Sequence, residues 1–290
     1  MTTLFLKTLG LYLETLAIVA PSAAARKGFK LFCRPFRASM NEKQLSFLNA
    51  SEQFRLMHEE HTVQGYRWGH GPRKVLFLHG WQSHTYRWKP YIEALPKDQY
   101  TIYSLDAPGH GLSSGNFLSV PLYSGLIESF IQKQGDIHGV VAHSLGGFSL
   151  LYSLYRAPQL PVGRVVLLAP PGEANEFVQV FQKTLGLSEK TVRLVIDHFA
   201  QRFQVTPEYF SARKFAEAIN VKGLIIHDED DKEAPYPHTV PLHQAWRGSQ
   251  LITTKGFGHN LKSPSVVQHV VDYINAHAEE ASLTRIKEKV

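Results

Sequence analysis

Three groups in this chain could together open an acyl bond: a serine hydroxyl, a carboxylate and an imidazole, met in the order Ser, Asp, His. The serine is Ser144, in Val140-Val141-Ala142-His143-Ser144-Leu145-Gly146-Gly147-Phe148, where an apolar run passes into a helix start. A sharp strand-to-helix turn needs small residues around its apex and lifts the hydroxyl clear of the sheet, which is the physical content of the Gly-x-Ser-x-Gly elbow. Ala142 stands at the first of those positions, and alanine is the next smallest side chain, so the turn is expected to survive. The imidazole is His259, in the Gly-flanked loop Lys255-Gly256-Phe257-Gly258-His259-Asn260. Carboxylates follow the apolar run Leu224-Ile225-Ile226-His227, which continues Asp228-Glu229-Asp230-Asp231. Upstream, Leu76-Phe77-Leu78-His79-Gly80-Trp81 ends in His-Gly, suited to a loop that offers a backbone amide to an oxyanion. The donors would be the N–H groups of Trp81 and Leu145, aimed at charge that develops during reaction.

The elements that must position these groups can be read from the spacing of apolar residues. Phe54–His58 and Thr62–Gly69 alternate as a pair of antiparallel strands. Lys74–Leu78, Tyr100–Leu105, Gly139–Ala142, Val165–Ala169, Gly223–His227 and Gln250–Thr254 are short strands, several apolar throughout, as expected where helices cover both faces of a parallel sheet. Helical stretches at Trp88–Leu95, Pro121–Gln134 and Gly146–Arg156 lie between them. That alternation predicts a doubly wound α/β domain, a mostly parallel twisted sheet with helices on both faces. Residues 171–220 interrupt it with helical character, and Thr206-Pro207 reads as an N-cap and first helical residue. Phe177, Val178, Phe181, Leu185, Leu187, Val195 and Phe199 recur there at helical spacing. We expect a small helical cap over the carboxyl ends of the strands, where such sheets bind ligands; the alternative is an extra helical layer.

These motifs together resemble the α/β-hydrolase superfamily, specifically its carboxylesterase-like serine hydrolases, over residues 54 to 277. Asp106-Ala107-Pro108-Gly109-His110-Gly111-Leu112-Ser113 is similar to a structural signature that follows the fourth strand in that family. The family acid follows a strand ending His-Gly-x-x-Asp with a proline four residues on; His227, Asp231 and Pro235 match, while Asp228 replaces the glycine. The resemblance therefore implies Asp231 as the acid, with Asp230 and Asp228 as alternatives. It implies nucleophilic acyl transfer, in which Ser144 attacks a carbonyl, His259 moves the proton and Asp231 orients the imidazole. A serine nucleophile separates the chain from the haloalkane dehalogenases and epoxide hydrolases of the superfamily, which use a carboxylate. The expected substrate is a small-molecule acyl ester or thioester. Amide or carbon–carbon bond hydrolysis, acyl transfer to another acceptor, and a non-catalytic binding protein are the alternatives. His79 is expected to brace the oxyanion loop, His143 to pack under the elbow and His110 to be structural. The fifteen histidines include no helical His-x-x-x-His pair beside a third ligand, so neither a metal nor a cofactor is expected.

Composition narrows the rest. The 290 residues are 43% apolar and 19% charged, which excludes a disordered chain and a coiled coil, and the single cysteine, Cys33, excludes an internal disulfide or a multi-thiolate zinc site. The net charge of +6 is concentrated in residues 1–40, where Lys7, Arg26, Lys27, Lys30, Arg34 and Arg37 stand against Glu14 alone. The remainder is nearly neutral, so a nucleic-acid partner is not expected. We divide the chain into an N-terminal helical segment, 1–50, and a hydrolase domain, 51–290. Residues 4–20 form a helix ended by Pro21, with Thr3, Lys7, Gly10 and Glu14 in one narrow polar stripe, and Ala23–Phe32 suits a second helix. The preferred reading lays these helices on the domain's own apolar surface in a cytoplasmic protein. The alternatives are a secretory leader and peripheral membrane contact through residues 1–37.

Overall fold

Apolar runs too short for stable helices form the sheet, and every strand expected from them is present. β1 (Glu52–His58), β2 (His61–Trp68), β3 (Arg73–Leu78), β4 (Tyr100–Leu105), β5 (Gly139–His143), β6 (Arg164–Leu168), β7 (Lys222–Asp228) and β8 (Ser249–Thr254) lie in the order β1-β2-β4-β3-β5-β6-β7-β8. β1 and β2 are antiparallel, β2 is antiparallel to β4, and from β4 onward every pairing is parallel. The computed structural model describes residues 3–287, with side chains for residues 4–276.

The helices are α1 (Thr3–Val19), α2 (Pro21–Phe32), α3 (Glu42–Asn49), α4 (Lys89–Ala94), α5 (Val120–Gln134), α6 (Leu145–Arg156), α7 (Ala174–Leu185), α8 (Glu189–Phe203), α9 (Ala212–Ala216), α10 (Thr239–Ala245) and α11 (Pro264–Lys287). α5, α6, α9 and α10 cover one face of the sheet, where Tyr123, Phe148, Phe215 and Leu242 are buried against Leu76, Val140 and Leu167. α4 and α11 cover the other, burying Ile92, Val270 and Ile274 against Phe77, Val141 and Ile226. The successor strands of β3 lie on opposite sides of it, β4 on one and β5 on the other. That reversal opens a crevice at the carboxyl ends of β3 and β5, the place where open α/β sheets bind ligands.

Residues 171–220 contribute α7, α8 and α9 between β6 and β7, and the Thr206-Pro207 signal opens only a single 3₁₀ turn, Pro207–Tyr209. α1 and α2 lie on this insertion. Leu13 packs with Leu185, Leu187 and Val192, and Phe29 meets Phe117, His198, Phe199 and Phe203 edge-on. Gly28 allows α2 to approach α8, since a Cβ there would lie 2.5 Å from Val195 Cγ2. Each fully buried Leu or Phe in this seam stabilises it by about 1.5–3 kcal/mol. Of the polar stripe of α1, Gly10 and Glu14 face inward, Lys7 stays exposed, and the Thr3 side chain lies outside the described residues. A Cβ on Gly10 would stand 1.9 Å from the carbonyl oxygen of Leu185. Glu14 accepts from the Ser188 N–H at 2.7 Å and the Ser188 hydroxyl at 2.9 Å, at the start of α8. A helix N-terminus offers unpaired N–H groups, so a carboxylate there is drawn in. The outer face of α1 is left apolar.

Cys33 ends α2 at the base of this seam, buried with Phe29 and Val195. Burial pushes its thiol pKa far up, against the lowering effect of the Arg202 charge. A thiol that stays protonated and enclosed does not react. Native protein is therefore expected to resist iodoacetamide at Cys33 at mildly alkaline pH, and Gly28→Leu, which forces α2 away from α8, to label readily under the same conditions. Rapid alkylation of the unaltered native chain, followed by mass spectrometry, would show that this seam does not close.

Candidate active site

Ser144 stands between β5 and α6 with φ 51° and ψ −125°, a backbone conformation that a side chain adopts only under constraint. The constraint is the close passage of β3 beneath the turn. A Cβ on Gly146 would lie 2.6 Å from the carbonyl oxygen of His79 and 2.7 Å from that of Leu78. A Cβ on Gly80 would lie 2.8 Å from Cβ of Ser144. Ala142, one turn position earlier, is fully buried in β5 and pairs with Leu78, so a methyl group fits there. The Ser144 N–H donates to the Leu168 carbonyl at 2.9 Å, which ties the apex to β6.

Three loops bring the expected groups together. Ser144 Oγ–H donates to His259 Nε2 at 2.9 Å, and His259 Nδ1–H donates to Asp231 Oδ2 at 2.8 Å. The Asp231 carboxylate is fully buried. Burial alone would raise its pKa. Hydrogen bonds from His227, His259 and the Ala234 N–H, with the charge of His259, outweigh that and hold it well below the usual carboxylate range. The Glu233 and Ala234 N–H groups donate to Oδ1 at 2.8 and 3.0 Å. His227 Nε2 faces both the Ala234 carbonyl at 2.9 Å and Asp231 Oδ2 at 3.2 Å, so that nitrogen carries the proton and Nδ1 accepts from the Thr239 hydroxyl. Of the alternative acids, Asp230 is exposed and Asp228 is used elsewhere. Asp228 Oδ2 accepts from the Thr254 hydroxyl at 2.8 Å and the Phe257 N–H at 3.0 Å. The residue that departs from the family's glycine thus fastens the histidine loop to the acid loop.

The residues expected to offer their N–H groups to an oxyanion, Trp81 and Leu145, line the same cavity as Ser144 and His259. Leu145 is the first residue of α6, where an N–H has no intrahelical acceptor. Trp81 follows Gly80, and its N–H has no acceptor among the described residues. Two histidines hold this loop. His79 Nδ1–H donates to the Gly80 carbonyl at 2.8 Å while its Nε2 accepts from the Ala107 N–H at 3.0 Å. His110 Nδ1–H donates to the Pro108 carbonyl, and its Nε2 accepts the Gln82 N–H, each at 3.0 Å. Burial lowers both pKa values to about 3, so each imidazole stays neutral and acts as one donor and one acceptor. His143 is buried beneath the elbow, its pKa also driven down by burial, and its Nε2–H donates to the His259 carbonyl at 2.9 Å.

Sequence reasoning passed over two positioning residues. Arg87, in a stretch that reads as a helix start, donates to the Asn260 carbonyl at 3.2 Å, and burial lowers its pKa to about 10. Asp106 accepts from the Tyr66 hydroxyl at 3.0 Å and from the Thr85 and Leu112 N–H groups at 2.9 Å, linking β2, the segment before α4 and the loop after β4. The Asp106–Ser113 motif was the available signal for the second. No signal marked the first, because an arginine between Tyr86 and Trp88 reads as an ordinary surface residue.

A cavity of about 490 Å³ opens from Ser144, Leu145, Trp81 and His259 and runs between the sheet and its helical roof. Phe177, Phe181, Leu185, Val195 and Phe199 line it, as the helical spacing of residues 171–220 suggested. So do Leu6 and Leu9 of α1 and Leu31 and Phe32 of α2. The roof is therefore larger than the insertion alone, because the N-terminal helices complete it.

A family model described as "Alpha/beta hydrolase family" matches residues 75–273. A dihydrolipoyllysine-residue acetyltransferase component of an acetoin cleaving system, from Cupriavidus necator, is 35% identical over 109 residues, 37% of this chain and 29% of that protein. The chain thus spans less than a third of that relative's length. A bifunctional esterase/perhydrolase of Acinetobacter calcoaceticus is 24% identical over 243 residues, covering 66% of this chain and 87% of that protein. Among solved structures, carboxylesterase CesB from Bacillus subtilis superposes with a TM-score of 0.58 at 21% identity, covering 80% of this chain and 95% of that one.

The lowered pKa of Asp231 has a thermodynamic sign. Its folded value lies below its unfolded value of about 3.9, so the ionised carboxylate contributes stability above that pH and loses it as pH falls toward the folded value. Urea midpoints of the native chain and of Asp231→Asn should differ most above about pH 5, and the gap should shrink steadily as pH falls below about 4 toward the lower folded value. A gap that widens on acidification would mean that the charged form is not the one stabilised.

Proposed function

Because the chain belongs to the alpha/beta hydrolase family, we propose that it is a serine hydrolase that cleaves carboxylic esters with an apolar acyl chain. One observation carries this reading: the unbroken hydrogen-bonded series from Ser144 Oγ through His259 to Asp231, at the mouth of an apolar cavity. In the proposed reaction, Ser144 attacks the ester carbonyl as His259 Nε2 takes its proton. The N–H groups of Trp81 and Leu145 receive the oxyanion, which a preorganised site stabilises more strongly than water does. His259 then gives the proton to the departing alkoxide. Water, deprotonated by the same imidazole, opens the acyl-enzyme to the carboxylic acid and free serine. Asp231 keeps the proton on Nδ1 and offsets the charge on the imidazolium. The esterase among the relatives supports the same reaction class.

Ser144→Ala is expected to fold normally, to lose labelling by a fluorophosphonate probe, and to lose about three or more orders of magnitude in kcat. Asp231→Asn should lose roughly 10⁴-fold through the wrong imidazole tautomer. Asp230→Asn, at an exposed position, should behave like the native enzyme. Substantial p-nitrophenyl ester hydrolysis by Ser144→Ala would end the proposal, and a severe Asp230→Asn with a silent Asp231→Asn would move the acid by one residue.

The apolar cavity predicts selectivity for acyl length. A fully buried methylene contributes about 0.8 kcal/mol, so kcat/KM should rise from acetate by up to roughly fourfold per carbon until the channel is full. Because α1 and α2 extend the roof, the rise is expected to continue until the chain reaches Leu6 and Leu9. Replacing Leu9 by Trp should shorten the optimum while leaving acetate turnover unchanged. A preference for acetate over every longer ester would place the acyl group outside this channel.

A further inference from the structure

α1 carries an apolar side that remains exposed among the described residues. Leu4, Phe5, Leu11, Tyr12, Ile18 and Val19 are exposed, Leu11 by 69% and Ile18 by 75%, although monomeric proteins seldom display a contiguous apolar face of this kind. The polar residues among them do not interrupt it. Thr8 and Thr15 turn their hydroxyls back onto the carbonyls of Leu4 and Leu11, each at 2.9 Å, so neither hydroxyl is left unpaired on this face. Glu14 is withdrawn into the contact with Ser188, so the rim carries cations without a competing carboxylate of its own helix. Lys7 of α1 and Arg26, Lys27 and Lys30 of α2 are exposed, and Lys27 reaches the Tyr12 hydroxyl with its ammonium 5.1 Å from the ring centre. An apolar helical face with an aromatic edge and a cationic border matches the depth profile of an anionic lipid surface. No helix among the described residues is long and apolar enough to cross a membrane, so this helix would lie in the interface.

The inner face of the same helix lines the cavity. Leu6 and Leu9 line it together with Val180 of α7, which is itself exposed, so one helix carries both the cavity wall and the uncovered face. We propose that the outer face of α1, bordered by the cations of α1 and α2, docks on a bilayer containing anionic lipids, and that amphiphilic esters enter the channel from that surface. The second half rests on the ester-hydrolase reading; the docking does not. Exposed hydrophobic groups gain by leaving water for the headgroup–acyl boundary, and the basic border adds electrostatic attraction that anionic lipid alone provides.

The test uses the full chain carrying Ser144→Ala, so that binding is separated from turnover. Flotation with phosphatidylcholine vesicles containing phosphatidylglycerol should carry the protein, and pure phosphatidylcholine vesicles should carry much less. Leu11→Asp with Ile18→Asp should weaken binding to the anionic vesicles by at least about tenfold, since a carboxylate is strongly disfavoured in the bilayer. In the catalytically intact background, the same pair should leave hydrolysis of a soluble short-chain ester unchanged. Lys27→Glu with Lys30→Glu should remove the preference for phosphatidylglycerol. Failure to float with either vesicle, or binding indifferent to the aspartates, would overturn the docking. So would a dimer in light scattering that the aspartates dissociate, without vesicle binding, because a second copy would then be the occupant. Vesicle binding intact in a chain that hydrolyses no ester would overturn the catalytic reading alone.

Discussion

The passage of β3 under the turn at Ser144 is the constraint on which the site depends. There is room at Gly146 and Gly80 for a hydrogen and nothing larger, because backbone oxygens of β3 and Cβ of Ser144 occupy the space. That closeness holds Ser144 at a positive φ, with its hydroxyl bonded to His259. A strained residue persists only where its surroundings determine it several times over. Here the parallel pairing of β3 with β5, the bond from Ser144 to Leu168, and the start of α6 all act on one residue. The elbow is a product of the sheet's order, and the serine's reach is a consequence of the elbow.

The other groups sit on loops, and loops need anchoring. Each loop around the serine is fastened to a different one by a buried polar side chain. His79 and His110 hold the loop after β3 to the segment after β4, Asp228 holds the histidine loop to the acid loop, and His143 and Arg87 grip the successive carbonyls of His259 and Asn260. Burial keeps the three imidazoles neutral, so each has one donor and one acceptor and fits one arrangement of partners. His79 and His110 use both ring nitrogens, which selects one geometry for the loops they join, whereas His143 is bonded through Nε2 and its Nδ1 has no partner among the described residues. The His259 imidazole thereby keeps its orientation without a secondary-structure element of its own.

Above the strand ends, the cap and the N-terminal helices form one roof. α7 and α8 could not close the cavity alone, because Leu185, Leu187, Val192 and Val195 would face water. α1 and α2 cover them and in turn present Leu6, Leu9, Leu31 and Phe32 to the cavity. The cost of this arrangement is the outer face of α1, which remains apolar because Glu14 is turned inward to Ser188 and the Thr8 and Thr15 hydroxyls are bonded back onto their own helix. The same helix is therefore a wall of the channel on one side and an uncovered hydrophobic surface on the other.

The strands and their mostly parallel pairing were legible in the sequence, since short, nearly continuous apolar runs between Gly and Pro leave few alternatives to a buried parallel sheet, while their order in the sheet was not. Ser144, the acidic cluster after β7 and His259 were legible for a similar reason: each lies at a strand end or in a Gly-flanked loop where local chemistry is written in adjacent residues. α3 escaped the reading although Asn41 and Gln44 form a capping box, because its eight residues carry little apolar periodicity. The direction of α1 escaped it too. Thr3, Lys7, Gly10 and Glu14 describe a polar stripe, and a stripe alone cannot say whether water or another helix faces it. Only the tertiary structure could decide that, as it decided that Asp231 rather than Asp228 meets the imidazole, and that Arg87 touches the loop of His259. Contacts between residues far apart in the chain depend on how the elements stack. A one-dimensional pattern records which side of an element is different, and the fold determines what that side meets.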